Sequence, residues 1–381
     1  MNLAITQTRA MLVDAYRELN AKKLFWVTLI LSGVLVLVFA LLDKQGRSVT
    51  FAGFQLDLPL DFDRTLFFKV LFTQFGISVW LTWAATILAL ISTAGIIPDL
   101  ISSGTVEMLV SKPVSRVRLL LTKFTFGLLF VALQVSVFSV GCFLVFGLKG
   151  VFWEPRILLA VPIVVVFYSY LFCVCVLMGL LLKSTVSALL LTLLFWLVMF
   201  IVNATDAGLL TAKGISQAEV DRARPRVEQL ELATIASLEQ QYADGSGEAP
   251  SAEDDEALDR ANPLLASRRR RLASAEEELA SWTKWSDRVG IAKTILPKTA
   301  ETIGLLERSM IDVSELEALQ GDGGDWRPPD ADEDWVSPEE GARAAEAELR
   351  ERGIWWIVGT SLVFEGVILG FACWRFAKRD F

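Results

Sequence analysis

The chain has 381 residues, more than half of them hydrophobic, a mean hydropathy of +0.48, and a formal charge of −8 from 44 acids and 36 bases. Residues 204 to 353 hold 33 of the acids and 18 of the bases, so the acidity belongs to one segment and the remainder is net basic, which excludes a uniformly acidic soluble protein. There is no histidine, which removes His-based metal binding, His general-base catalysis and the common catalytic triads.

Residues 1–23, "MNLAITQTRAMLVDAYRELNAKK", put Leu3, Met11, Leu12, Ala15 and Leu19 at roughly helical spacing, and predict an interfacial helix lying at the membrane before the first span. A bilayer core of about 30 Å needs about 20 apolar residues of helix. Six runs are long enough, near 24–42, 76–97, 121–147, 157–182, 185–203 and 354–374. The charged leader with Asp14 and Glu18, and the lack of a small-residue cleavage site in "FALLDKQG", mark the first run as a retained anchor. Lys and Arg favour the cytoplasmic side of short loops. With the N-terminus inside, twelve bases fall in the inner segments and six in the short outer loops, so both termini are expected in the cytoplasm of a multi-pass protein of a bacterial inner membrane.

The outer stretch 43–75 alternates polar and apolar residues around Gly53 and Pro59, and predicts a short extended piece followed by an amphipathic approach to the second span. Between the second and third spans, Pro98 and Asp99 end the membrane helix, and a short helix is expected over 98–113, stopped where Pro113 disfavours helix at Lys112. Asp99, Ser103 and Glu107 share one side of it, and Ile101, Thr105 and Met108 the other. Arg116 and Arg118 would anchor its end at anionic headgroups. The same residues would also serve positive-inside anchoring alone.

Inside the spans, Glu365 in "GTSLVFEGVILGF" costs about 2.5–3.5 kcal/mol to insert and requires a reason: a place in a cavity between the spans as a proton carrier, a cation contact or part of a substrate route, or else a polar partner such as Gln134 or Asn203, or protonation at a helix interface. Gly141, Gly147, Gly179 and Gly366 would permit close helix approach. Cys142, Cys173, Cys175 and Cys373 lie in apolar runs; Cys173 and Cys175 point about 200° apart on a helix and cannot chelate together.

In the acidic segment 204–353, residues 216–241 and 252–288 are rich in helix formers and predict two antiparallel helices broken at "ADGSGEAPS". "RVGIAKTILPKTAETIGLLERSM" is apolar enough for a packed or interfacial position, broken at Pro297, and "GDGGDWRPPDADEDWVSPEEG" is expected to be irregular, its two tryptophans hinting at a docking surface for an extracytoplasmic protein. The fold expected is all-α: an integral membrane protein of six transmembrane helices, with the segment 24–203 carrying five of them, a helical insert at 204–353, and the sixth span and a tail at 354–381.

The run "GTVEMLVSKPVSRVRLLLTKF" resembles the cytoplasmic segment of type-2 export permeases of the ATP-binding-cassette (ABC) superfamily, through Gly104, Thr105, Glu107, Leu109, Lys112, Pro113, Ser115, Arg116 and Lys123. The leader "YRELNAKKLFW", the segment "ILPKTAE" and the tail "WRFAKRDF" are similar in kind; the insert at about 216–288 is not a feature the family requires. The resemblance implies a coupling helix docking on a separate ABC ATPase subunit, with Ser103, Gly104, Thr105, Glu107, Lys112, Pro113, Ser115 and Arg116 at or near the contact. It also implies a second permease, as a homodimer or as a heterodimer with a similar permease, with two ATPase subunits. The chain has no phosphate-cradling GxxxxGK[ST]; "GLLLKST" at 179–185 lacks the second glycine. ATP and Mg would therefore belong to the partner, and no cofactor, catalytic residue, metal site or nucleic-acid partner is expected here. The rival expectation is an envelope scaffold or force-transmitting subunit that recruits an external protein and transports nothing.

Overall fold

The computed structural model describes residues 23–46, 48–57, 63–102, 115–243, 254–311, 315 and 335–378. The expected interfacial helix over 1–23 and most of the 98–113 segment lie outside these residues. Six of the described helices are long and apolar enough to cross a bilayer. The chain divides into two compact units, one of Met1–Phe200, Ile295–Asp322 and Gly353–Phe381, the other of Ile201–Thr294 and Gly323–Arg352.

In the first unit, helix α1 (Lys23–Leu41) has 19 residues, about 28 Å at 1.5 Å per residue, close to the hydrocarbon thickness. Three short strands follow, β1 (Leu42–Gln45), β2 (Ser48–Phe51) and β3 (Phe54–Asp57), antiparallel in sequence order. The sequence suggests one extended piece; Gly46 and Gly53, both at positive φ, permit the two tight reversals that make it three. Asp63 caps helix α2 (Arg64–Leu71) by accepting from the Thr65 N–H. The chain continues without a break as a π-helix (Phe72–Ala85) and α3 (Thr86–Thr93). The second span therefore begins about twelve residues earlier than its apolar run, because α2 buries Leu66 and Phe68 despite its charges. Ser78, Thr82 and Thr86 donate to the carbonyls of Thr73, Ile77 and Leu81, each five residues back. A short α4 (Ile96–Ser102) is the last element described before residue 115.

Ser115 opens α5 (Arg116–Leu148) by accepting from the Arg118 N–H. A 3₁₀ turn (Pro155–Leu159) leads into α6 (Ala160–Leu182), which ends on Lys183 in the left-handed conformation. After α7 (Thr185–Ala243), the chain returns to this unit with α10 (Thr299–Met310) and, following a π turn (Trp355–Gly359), ends in α12 (Thr360–Ala377).

Helix α5 packs on α1 and α6, and α6 packs on α10 and α12. With no hydrophobic driving force between helices in lipid, close packing must hold them. Rings of Phe39, Phe68, Phe72, Phe138 and Phe146 pack together, and Phe172 stacks on Phe124. Gly127 leaves room for Phe172, whose ring would lie 2.4 Å from an added Cβ; Gly141 does the same for Val36 at 2.9 Å. Gly147 and Gly179 are likewise covered, by Trp153 and Pro98, whereas Gly366 faces nothing within 4 Å.

The ends of the bundle follow from polar contacts. At one end the Arg116 guanidinium reaches the carbonyl of Ala377. At the other, Arg64 pairs with Asp43 at 2.7 Å and Lys149 donates to the carbonyls of Phe39 and Leu42. Exposed tryptophans mark both ends, Trp26 and Trp374 at the first, Trp153 and Trp355 at the second, as amphipathic rings do at bilayer interfaces.

In the second unit, the 201–243 part of α7 runs antiparallel to α9 (Pro263–Ile295), which follows the short α8 (Asp255–Ala261). The register is read from Asp206–Lys293, Arg224–Glu276, Arg269–Glu231 and Asn262–Thr234. The antiparallel pair is as expected, but its first helix is continuous with the fifth span. A third helix, α11 (Pro338–Glu351), starts at a capping box made by Ser337 and Glu340, and Arg222–Glu340 and Lys213–Glu348 set it antiparallel to α7. The expectation of irregular chain through Gly341 is thus corrected from Pro338 onward; the preceding acidic residues 316–334 lie outside the described ones.

Candidate functional site

Pro297 disfavours helix at Leu296 and ends α9, and the chain restarts as α10 packed on α6 and on the π-helix. This turn carries Lys298 into the interior, where its side chain is fully buried. Its backbone N–H donates to Ser361 Oγ at 2.9 Å, its ammonium donates to Thr360 Oγ1 and to the Leu296 carbonyl, and its Nζ lies 4.4 Å from the Trp356 ring centroid. A buried ammonium is tolerated when its donors are used, and here hydroxyl, carbonyl and π face share it.

Around Lys298 a polar seam runs between α6, α10 and α12. Thr302 donates to the Lys298 carbonyl at 2.7 Å, and Ser361 to the Ile357 carbonyl at 2.7 Å. Glu301, Thr299, Thr302 and Ser361 are all buried. The Tyr170 hydroxyl lies beside those of Thr302 and Ser361, fully buried, with hydrogen-bond geometry to neither. One turn further along α12, Glu365 Oε2 is 2.6 Å from Ser169 Oγ. Further out, Glu307 Oε1 of α10 lies 2.8 Å from Ser78 Oγ of the π-helix, and Lys69 pairs with Glu315 at 2.6 Å. Acids, hydroxyls and a lysine are thus buried between helices of an otherwise apolar bundle. No group of three potential metal ligands occurs among the described residues.

Glu365 is where the sequence directs attention, but its partner is Ser169 of α6 and neither Gln134 nor Asn203. Gln134 is buried on α5, with Nε2 3.5 Å from the Ala85 carbonyl and Oε1 without a partner. The difference is one of helix face: α12 meets α6 most extensively, and Ser169 stands where the Glu365 side chain reaches it. The cysteines are all free, and Cys142, Cys173 and Cys175 are buried.

Of the residues expected at a partner contact, Ser103, Gly104, Thr105, Glu107, Lys112 and Pro113 lie outside the described residues. Ser115 is the N-cap of α5, and Arg116, its first residue, joins that helix to the end of α12. Sequence reading missed Lys298, Ser169, Tyr170, Thr360 and Ser361 as one constellation. The available signal was the Pro-Lys pair in "ILPKTAET", where a lysine follows a helix break inside an apolar approach. Compared with known protein families, characterised proteins and solved structures, the chain matches none.

Proposed function

We propose that this chain is a membrane-spanning permease subunit of an ATP-driven ABC exporter, working with a separate ATPase subunit and a second permease copy. The observation that carries the reading is the 104–116 motif and its position in sequence between the second and third membrane helices. That segment joins α5 at Ser115 and Arg116, beside the end of the last membrane helix. Movement imposed on such a segment by a docked ATPase has a direct mechanical route to two spans. The buried polar seam supports the same reading, since polar groups in membrane helices commonly mark a substrate or ion route.

The test is affinity purification of the tagged full chain in mild detergent, with mass spectrometry of what accompanies it. A soluble ATPase carrying GxxxxGK[ST] should be recovered with the wild type and lost with Glu107→Lys, at equal membrane insertion. Recovery of no ATPase, or undiminished recovery and coupled turnover with Glu107→Lys, overturns the docking role. The three-helix second unit, held by cross-helix ion pairs, favours a second reading: an envelope scaffold in which the spans move these helices and an external partner responds.

A further inference from the structure

The Ser169 hydroxyl has two acceptors and one proton. Its Oγ is 2.8 Å from the Val166 carbonyl and 2.6 Å from Glu365 Oε2, both hydrogen-bond distances. A hydroxyl donates once and accepts twice, so both contacts are satisfied together only if one of them receives its hydrogen from the other partner. Val166 O is a carbonyl and has none to give. With the Ser169 hydrogen kept on Val166 O, the hydrogen between Ser169 and Glu365 comes from the carboxyl.

The surroundings agree. Glu365 is 9 % exposed, and among the described residues Ser169 is its one hydrogen-bond partner, with no ion pair. The titratable groups facing it from α6 are Tyr170 and Cys173, neither of which carries positive charge. No charged group of α5, or of the π turn that precedes α12, acts on its carboxyl. The buried Lys298 is engaged by Thr360, the Leu296 carbonyl and the Trp356 ring. An ionised carboxylate with a single hydroxyl donor, deep between membrane helices, would lack the partners that make such charges tolerable.

We propose that Glu365 and Ser169 form a proton-binding site between α6 and α12, in which the Glu365 carboxyl holds the proton and donates it to Ser169 Oγ while Ser169 donates its own to Val166 O. Release breaks the Glu365 O–H bond, the proton leaves to water, and the Ser169 hydroxyl hydrogen turns from Val166 to the carboxylate left behind. Rebinding reverses each step. The Tyr170 hydroxyl, on the residue next to Ser169, is buried beside the hydroxyls of Thr302 and Ser361. The ligand is a proton, and the site holds whether the chain moves a substrate or only transmits movement.

Infrared difference spectroscopy of the purified full chain in lipid vesicles at neutral pH tests this. The wild type minus Glu365→Gln difference should contain a protonated-carboxyl C=O stretching band of one group per chain, shifted on exchange into D₂O. In Ser169→Ala the band should persist but move to higher frequency, because the carboxyl loses its acceptor. A difference spectrum with carboxylate bands and no protonated-carboxyl band overturns the proposal. If Glu365→Gln does not fold, the Ser169→Ala spectrum decides by itself: an unshifted or absent band overturns it.

Discussion

Asp206 is a carboxylate with almost no solvent, 1 % exposed, whose Oδ2 accepts from Lys293 at 2.8 Å and from Arg352 at 3.0 Å. These three residues lie on α7, on α9 and just after α11, so one carboxylate joins all three long helices of the second unit. Removing one member of a buried ionic group leaves charge uncompensated and costs about 3–5 kcal/mol. Asp206→Asn should therefore loosen the second unit: amide hydrogen exchange in the facing parts of α7, α9 and α11 should be at least about 150-fold faster, with exchange in α5 and α6 unchanged. Asp43 offers a milder contrast on the pH axis. Burial alone would raise its carboxyl, but hydrogen bonds from Arg64 and the Lys44 N–H, with the charges of Arg64 and Lys149, outweigh that and hold it below the ordinary 3.8. A depressed folded value means the pairing stabilises fully above the ordinary value and is lost as pH falls through the folded one. For a partly exposed pair this is worth about 0.2–1 kcal/mol. A spin label at Gln45 should become more mobile on acidification in the wild type, and be mobile at every pH in Asp43→Asn.

At the scale of elements, glycine separates helices that touch from helices that do not. A Cβ on Gly341 of α11 would fall 2.3 Å from Ile215 Cγ1 and 2.8 Å from the Thr211 carbonyl on α7, whereas one on Gly290 of α9 would meet nothing within 4 Å. Gly341→Ala should destabilise the second unit by about 1–3 kcal/mol through overpacking. Gly290→Ala should stabilise α9 by about 0.5–1 kcal/mol through helix propensity. Limited proteolysis of the two variants should shift in opposite directions. The α7–α11 contact was not legible: the acidic run through Gly341 reads as irregular, and its Ser-Pro-Glu-Glu is the capping box that starts α11. The six spans were legible because twenty apolar residues have few alternatives in a chain. The start of the second span was not, because α2 buries an amphipathic face and a Lys69 whose partner, Glu315, lies 246 residues away. Glu365 stood out as a lone acid in an apolar run, but nothing in one sequence told which helix face it would meet, so Ser169 and the Lys298 turn emerged only with the packing.

For the whole molecule, the question is whether the second unit is needed for what the spans do. Antiparallel pairing of α7 with α9 brings the chain back close to where it left, as Asp206–Lys293 records. Residues 216–288 can therefore be deleted and residue 215 joined to 289 through a short Gly-Ser turn. Asp206–Lys293 and Lys213–Glu348 survive this deletion, while Arg222–Glu340 and the Arg269 pairs to Glu231, Asp255 and Asp259 go with it. The polar seam of α6, α10 and α12 contains no residue from the deleted stretch. If the chain is an exporter subunit, the truncated protein should still insert, still recruit its ATPase and keep substrate-stimulated ATP hydrolysis within about twofold, because coupling runs through the segment before α5 and the spans. If it is a scaffold, ATPase recruitment should persist while the external partner is lost from the purified complex. Loss of stimulated hydrolysis from a truncated chain that inserts and holds its ATPase would count against the exporter, since it would make the deleted helices part of the coupling itself.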